Sequence, residues 1–339
     1  MFTRRTSRLI GATAAIAVAA LSSSCSDDDS DALHVYSGRH YGIEKAFEQF
    51  TKDTGIKVVF LTGNDGELRE RIAAEGDETK ADAYITVDAG NLAAAAAQGL
   101  FQPIDSPVLA QAIPAELSDP DGLWYGLTVR VRTIVYNTDL LAAEDVPGTY
   151  EELAEPSWRG RVCMRNSTSV YQQSLVASLI AAHGEEEALR IVNGWADNAE
   201  IFATDELILD ALADGLCEVG VTNHYYLARR YDEDPTFPVG LVWANQDDRG
   251  AHVNVSGGGV TKYSRHPEEA QRFLEWLATE GQNVLIGDNH ELPANPATKP
   301  DQVLIDRFGV DFLADPLDAA TIGSLNADAV RLMDEAGYE

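Results

Sequence analysis

Between Leu33 and Gly99 the chain switches between strand-like and helix-like patterns three times, and the alternation restarts at Arg161. Residues 33–36, 56–61 and 83–87 are short apolar runs of strand type. Between them Ile43, Ala46, Phe47 and Phe50 recur at helical spacing, Leu68 and Ile72 mark a second helix, and residues 92–98 a third. Gly55 and Gly99 stand where the first and third helices stop. Strands that alternate with helices build a mostly parallel sheet covered on both faces, so the expected class is α/β. The second round places strands at 161–164 and 217–222 and helices at 170–182, 186–195, 207–212 and 224–230.

Residues 127–137 and 253–260 fit neither round. They are long and extended, and suit paired strands that cross between two domains. By analogy with hinged two-lobed folds, the first lobe is expected at 32–128 plus 252–292. The second lobe is expected at 137–251 plus 293–339, with 129–136 and 253–260 as hinge strands.

The N-terminal residues read as an export leader. Arg4, Arg5 and Arg8 precede an apolar run from Leu9 to Leu21, too short for the roughly 20 residues that span a bilayer. Ser22, Ser23 and Ser24 then lead to Cys25. This arrangement resembles a bacterial lipoprotein signal over 1–25, with Cys25 lipidated and residues 26–31 as an acidic tether. The expected location is therefore outside the cytoplasm, with the membrane reached only through the lipid. Of the remaining cysteines, Cys163 and Cys217 both fall in expected strands; in an oxidising compartment two such cysteines often pair, and two buried free thiols are the alternative. The chain has 55 acidic against 25 basic residues, a formal charge of −30. That excess argues against nucleic acid and anionic lipid as partners and suits attraction of cations.

Three short stretches carry the chemistry. His40 and Tyr41 follow the first strand of the first lobe. Tyr171 and the pair Tyr225-Tyr226 each open a helix just after a strand of the second. In open parallel sheets such positions share one crevice beyond the strand ends. Taken singly, each tyrosine is an amphipathic core residue and His40 a hydrogen-bonded histidine. Together, four phenols and an imidazole make a site for a hard, strongly Lewis-acidic ion, with Fe(III) the best match. Calcium calls for a cage of carboxylates and carbonyls, and zinc for clusters of His and Cys. Other signals are weaker. Ser256-Gly257-Gly258-Gly259 falls in a strand, where close packing explains it better than a phosphate cradle. Asp88 and Glu206 suit capping or solvated roles, and His183, His266 and His290 suit the surface. No Gly-x-Ser-x-Gly elbow supports a hydrolase.

The chain resembles the ferric-iron-binding proteins of bacterial ABC importers, a tyrosine-rich branch of the type II periplasmic binding proteins. The resemblance rests on Tyr-Ser-Gly-Arg-His-Tyr at 36–41, Ile-Thr-Val-Asp at 85–88, Tyr-Gln-Gln-Ser-Leu at 171–175, Asn-His-Tyr-Tyr at 223–226 and His-Val-Asn-Val-Ser-Gly at 252–257. It implies two α/β lobes closing on Fe(III), ligated by Tyr41, Tyr171, Tyr225 and Tyr226, with His40 as a fifth ligand. It implies Arg39, Arg130 and Arg132 beside the phenolates, an ABC permease as partner, a monomeric state and no enzymatic activity. His224 departs from the pattern and is expected behind the ligands. The same fold holding a small organic cation, such as thiamine or a polyamine, is the competing reading.

Overall fold

The computed structural model describes residues 31–39, 43–287 and 289–339. The first βα alternation runs β1 (Leu33–Ser37), α1 (Ile43–Thr54), β2 (Val58–Thr62), α2 (Asp65–Glu75), β3 (Ala83–Thr86) and α3 (Ala89–Ala97). A short helix α4 (Pro107–Ala112) leads to the long strand β4 (Tyr125–Asn137). The second alternation runs β5 (Val162–Arg165), α5 (Val170–His183), α6 (Glu185–Asn198), β6 (Ala199–Phe202), α7 (Asp205–Ala213), β7 (Val219–Asn223), α8 (His224–Glu233) and β8 (Val239–Val242). Then follow β9 (Val253–Val260), α9 (Pro267–Ala278), α10 (Gln282–Gly287), β10 (Leu292–Pro293), α11 (Gln302–Arg307), α12 (Ala319–Ser324) and α13 (Asn326–Glu335).

Local chemistry sets many of these boundaries. Gly55 and Gly99 take positive φ values of 78° and 67° just past α1 and α3, conformations that glycine adopts without penalty. Asn64 and Asp88 cap α2 and α3, each side chain accepting from two backbone N–H groups of the first turn. Thr204 caps α7, its hydroxyl accepting from the Leu207 N–H.

The strands run in the order β2-β1-β3-β9-β4-β7-β5-β6, with β8 and β10 also paired to β4. β1 is parallel to β2 and β3, and β5 is parallel to β6 and β7. β4 joins the two halves: residues 125–131 pair with β9, and residues 132–136 with β7. The chain returns at the entrance to β9, where the Arg132 N–H donates to the His252 carbonyl. Side chains thus gather into one core around Phe47, Phe50, Tyr84, Trp124 and Phe273, and a second around Tyr150, Leu175, Ile191 and Trp195.

The tail after residue 293, expected with the second lobe, divides between the two cores. Ala329, Leu332 and Met333 of α13 join the second, while Leu304 and Ala319 pack into the first. Cys163 and Cys217 form a disulfide with Cα atoms 5.8 Å apart. Cys217 is not in a strand as expected. It sits in the turn before β7, because Gly215 (φ 73°) ends the preceding helix there and pairing resumes only at Val219. Cys25 and the leader lie outside the described residues. Among the described residues no helix is long and apolar enough to cross a membrane.

Candidate functional site

Two strand-to-helix turns of the second half carry the tyrosines. β5 leads through Ser169 into α5, whose first turn holds Tyr171. β7 ends at Asn223, and α8 opens directly with His224, Tyr225 and Tyr226. Because β5 and β7 are parallel neighbours, both helix starts emerge at the same edge of the sheet. The Tyr225 hydroxyl donates to the Tyr171 hydroxyl at 3.3 Å, and Asn223 Nδ2 donates to Tyr225 at 3.4 Å. The Tyr225 and Tyr226 rings lie 4.3 Å apart. All three rings are buried and belong to a small third core with Leu209, Leu227 and the disulfide sulfurs' residues. His40 and Tyr41 fall outside the described residues.

Cations surround these phenols. The Arg130 guanidinium lies 5.2 Å from the Tyr171 ring centre and that of Arg165 5.9 Å. Arg229 sits 5.0 Å from the Tyr225 ring and 5.4 Å from that of Tyr226. Burial pushes the Tyr171 phenol above its ordinary range, and the charge of Tyr225 adds to this, while Arg130 opposes it. Without a bound cation Tyr171 is therefore protonated, and a ligand that wants phenolate must displace the proton. Arg130 is buried, donates to the Val255 carbonyl, and leaves its Nε without a partner among the described residues. Arginine charge held against phenols favours their ionised form.

Tyr171 lines a cleft of about 860 Å³ together with Ser169 and Arg165 from the second half and Gly38, Asn64 and Asp65 from the first. Asp65 is the residue that sequence reasoning missed here. Burial, reinforced by the charge of Asp88, pushes its carboxyl up to about 7. It stands so close over Gly38 that a Cβ there would come within 1.6 Å of Asp65 Oδ1. Nothing local marked Asp65 in the sequence, where it reads as an ordinary first-turn acid. Arg229 was also missed, although its spacing from Tyr225 and Tyr226 puts it on the same helix face.

The expected arginines have different fates. Arg130 is beside a phenol. Arg39 is buried against Glu291 at 2.5 Å and also donates to Thr128, Ser256 and the Leu285 carbonyl. Its charge is held inside the first half. Arg132 is buried against Asp205 at 3.0 Å and also reaches Gln172 and the Val221 carbonyl. His224 lies behind the tyrosine pair, its ring edge-on to Tyr225 at 5.8 Å. Burial lowers its pKa to about 4, so the imidazole is neutral.

The weaker signals resolve plainly. Asp88 is the α3 cap and Glu206 is exposed. A Cβ at Gly257 or Gly259 would strike the Tyr125 or Leu123 carbonyl at 2.6 or 2.5 Å, so strand packing accounts for that run. His290 is a correction: it is buried, with ring nitrogens 2.8 Å from Asp232 and 3.1 Å from Asp301. No residue spacing reveals that contact, which joins α8 to a loop far along the chain. Among the described residues no cluster of three or more His, Cys, Asp or Glu could hold a metal ion.

Residues 45–306 match the family of bacterial extracellular solute-binding proteins. The chain is 39 % identical over 317 residues to iron uptake protein A1 of Synechocystis, covering 91 % of this chain and 87 % of that protein. It is 30 % identical to the Fe(3+)-binding periplasmic protein of Serratia marcescens, covering 89 % of each. Among solved structures, it resembles a Trichodesmium protein in complex with iron and citrate ligands, with a TM-score of 0.85 and 39 % identity over 91 % of this chain and all of that one. The ferric binding protein from Campylobacter jejuni matches equally well, with a TM-score of 0.85 at 32 % identity, over 91 % of this chain and 100 % of that one.

Proposed function

The chain belongs to the bacterial extracellular solute-binding protein family, and from that premise we propose that it captures ferric iron between two lobes and delivers it to an ABC importer. The observation that carries this reading is the cluster of Tyr171, which lines the cleft, with Tyr225 and Tyr226 beside it and Arg130, Arg165 and Arg229 against their rings. Tyr171, Tyr225 and Tyr226 supply phenolates to the ion. Tyr41 supplies a fourth and His40 an imidazole. The arginines offset the charge that the phenolates bring. Arg39 and Arg132 act further back, by holding Glu291 and Asp205 in place.

A trivalent ion repays the loss of phenolic protons where a weaker Lewis acid does not. An organic cation such as thiamine or a polyamine cannot drive off the phenolic protons, so nothing would offset the guanidinium charge beside it, which disfavours that reading. The role is binding and transfer, with no bond made or broken in the cargo. The names of the relatives support it, and so does the leader, which would export the chain and anchor it at Cys25 as a monomer outside the cytoplasm.

A titration tests the reading. The chain without residues 1–25, given ferric nitrilotriacetate, should take up one iron and develop a visible tyrosinate-to-iron charge-transfer band. A colourless protein with no stoichiometric iron by metal analysis ends it.

A further inference from the structure

On the edge of β4 away from β9, the pairing partner changes between Val129 and Arg132. Thr128 and Val129 pair with β10 beside the first sheet, and Arg132 onward pairs with β7 of the second. The Val131 N–H falls in the gap between these two ladders. A buried N–H left there without an acceptor would be costly. Its acceptor is a side chain: Val131 donates to His224 Nδ1 at 3.1 Å. The other ring nitrogen, Nε2, lies 3.1 Å from the His290 carbonyl, just ahead of β10. With the ring proton on Nε2, both bonds form at once. The imidazole is fully buried and fills the break between the ladders.

The surrounding contacts run between the same two segments. Arg229 donates to Asn289 Oδ1 at 2.9 Å, and the His290 ring meets Asp232 at 2.8 Å. Glu291, at the end of that segment, holds Arg39. Residues 289–291 therefore touch both α8, which opens with the tyrosine pair, and the residue that precedes His40 and Tyr41.

We propose that His224 is the positioning residue of the hinge, splicing the two ladders of β4 and tying Tyr225 and Tyr226 to its crossing point. A continuous strand ladder resists rotation because each bond is held by its neighbours. One ring bonded at two opposite nitrogens can swivel and keep both partners. The tyrosine pair then moves with the hinge and not independently of it. The link to cargo rests on the ferric-iron reading above; the link to the hinge does not.

The test has one readout without metal and one with it. In the iron-free chain, His224→Ser should speed amide hydrogen exchange at Val131 by about tenfold or more, with Ile134 and Val221 little changed. With ferric nitrilotriacetate as the iron source, the same variant should keep the wild-type band position. It should release iron to excess EDTA about tenfold faster, on the order expected for one buried hydrogen bond. His224→Gln, which keeps an acceptor and a donor on one side chain, should restore most of both losses. Unchanged exchange at Val131, or release within about twofold of wild type, overturns the proposal. If the Ser variant does not fold, His224→Asn, whose shorter side chain cannot reach both partners, decides: Val131 exchange and iron release about tenfold faster than in the Gln variant support the splice, and rates within about twofold of it overturn it. If the wild-type chain takes up no iron, the ferric-iron reading fails alone, and Val131 exchange still decides the hinge role.

Discussion

At the residue scale, the rings of Tyr171, Tyr225 and Tyr226 pack in one core with Leu209 and Leu227, while the Tyr225 hydroxyl meets that of Tyr171, which lines the cleft. Tyr225→Phe or Tyr226→Phe keeps the packing and removes one phenolate. Either should abolish the charge-transfer band or nearly so, whereas His40→Ala should weaken binding less, because a neutral imidazole suits a hard ion less well. Equal losses in an absorbance titration would contradict that order. Asp65 gives a second expectation. Its carboxyl is held up to about 7 by burial and by Asp88, so the folded state prefers it protonated. Its contribution is most favourable below the ordinary carboxylate range, declines as pH rises toward 7, and is constant above. Asp65→Asn should therefore gain melting temperature relative to wild type as pH rises from about 4 to about 7, by an amount equivalent to a few kcal/mol. A gap that does not widen over that window would mean Asp65 is ionised throughout.

At the scale of elements, the strand-to-helix turns were legible from the sequence because each is local. Apolar runs, caps and stop glycines sit within a few residues of one another. Val170–His183 falls close to where periodicity put it, and Val253–Val260 matches the long extended run read there. Cys217 shows the limit, since its distance from a strand is set by where the preceding helix unwinds. The disulfide it forms with Cys163 staples β5 to the entrance of β7, closing a sequence separation of 54 residues. In the chain-entropy model that closure is worth about 4 kcal/mol. The double variant Cys163→Ser/Cys217→Ser should lose stability on that order in denaturant unfolding and still develop the iron band. Loss of the band along with the bridge would place the disulfide in support of the site itself.

For the whole molecule, cargo binding and stability are linked. Iron stabilises the folded chain by mass action, and under the proposed ligation by Tyr171, Tyr225 and Tyr226 it expels phenolic protons on binding. Burial keeps the Tyr171 phenol above its usual range, so falling pH favours the protonated, iron-free form. Iron should raise the melting temperature near neutral pH, and the rise should vanish on acidification. A shift that stays flat between pH 5 and pH 7, an interval of about two units over which proton competition grows steeply, would exclude phenolate ligation. The sequence by itself determined the α/β alternation, the two rounds of it, and the phenols at the helix starts, because periodicity and junction chemistry act over a few residues. Only the tertiary structure decided which charges meet. Arg39 was drawn to Glu291 and Arg132 to Asp205, while Arg130 stayed beside Tyr171. It also placed Asp65 in the cleft wall and slotted His224 into the gap between the β10 and β7 ladders along β4. Those partners lie far apart along the chain, and a buried charge or N–H pairs with whatever the fold brings within hydrogen-bond reach, which no local pattern encodes.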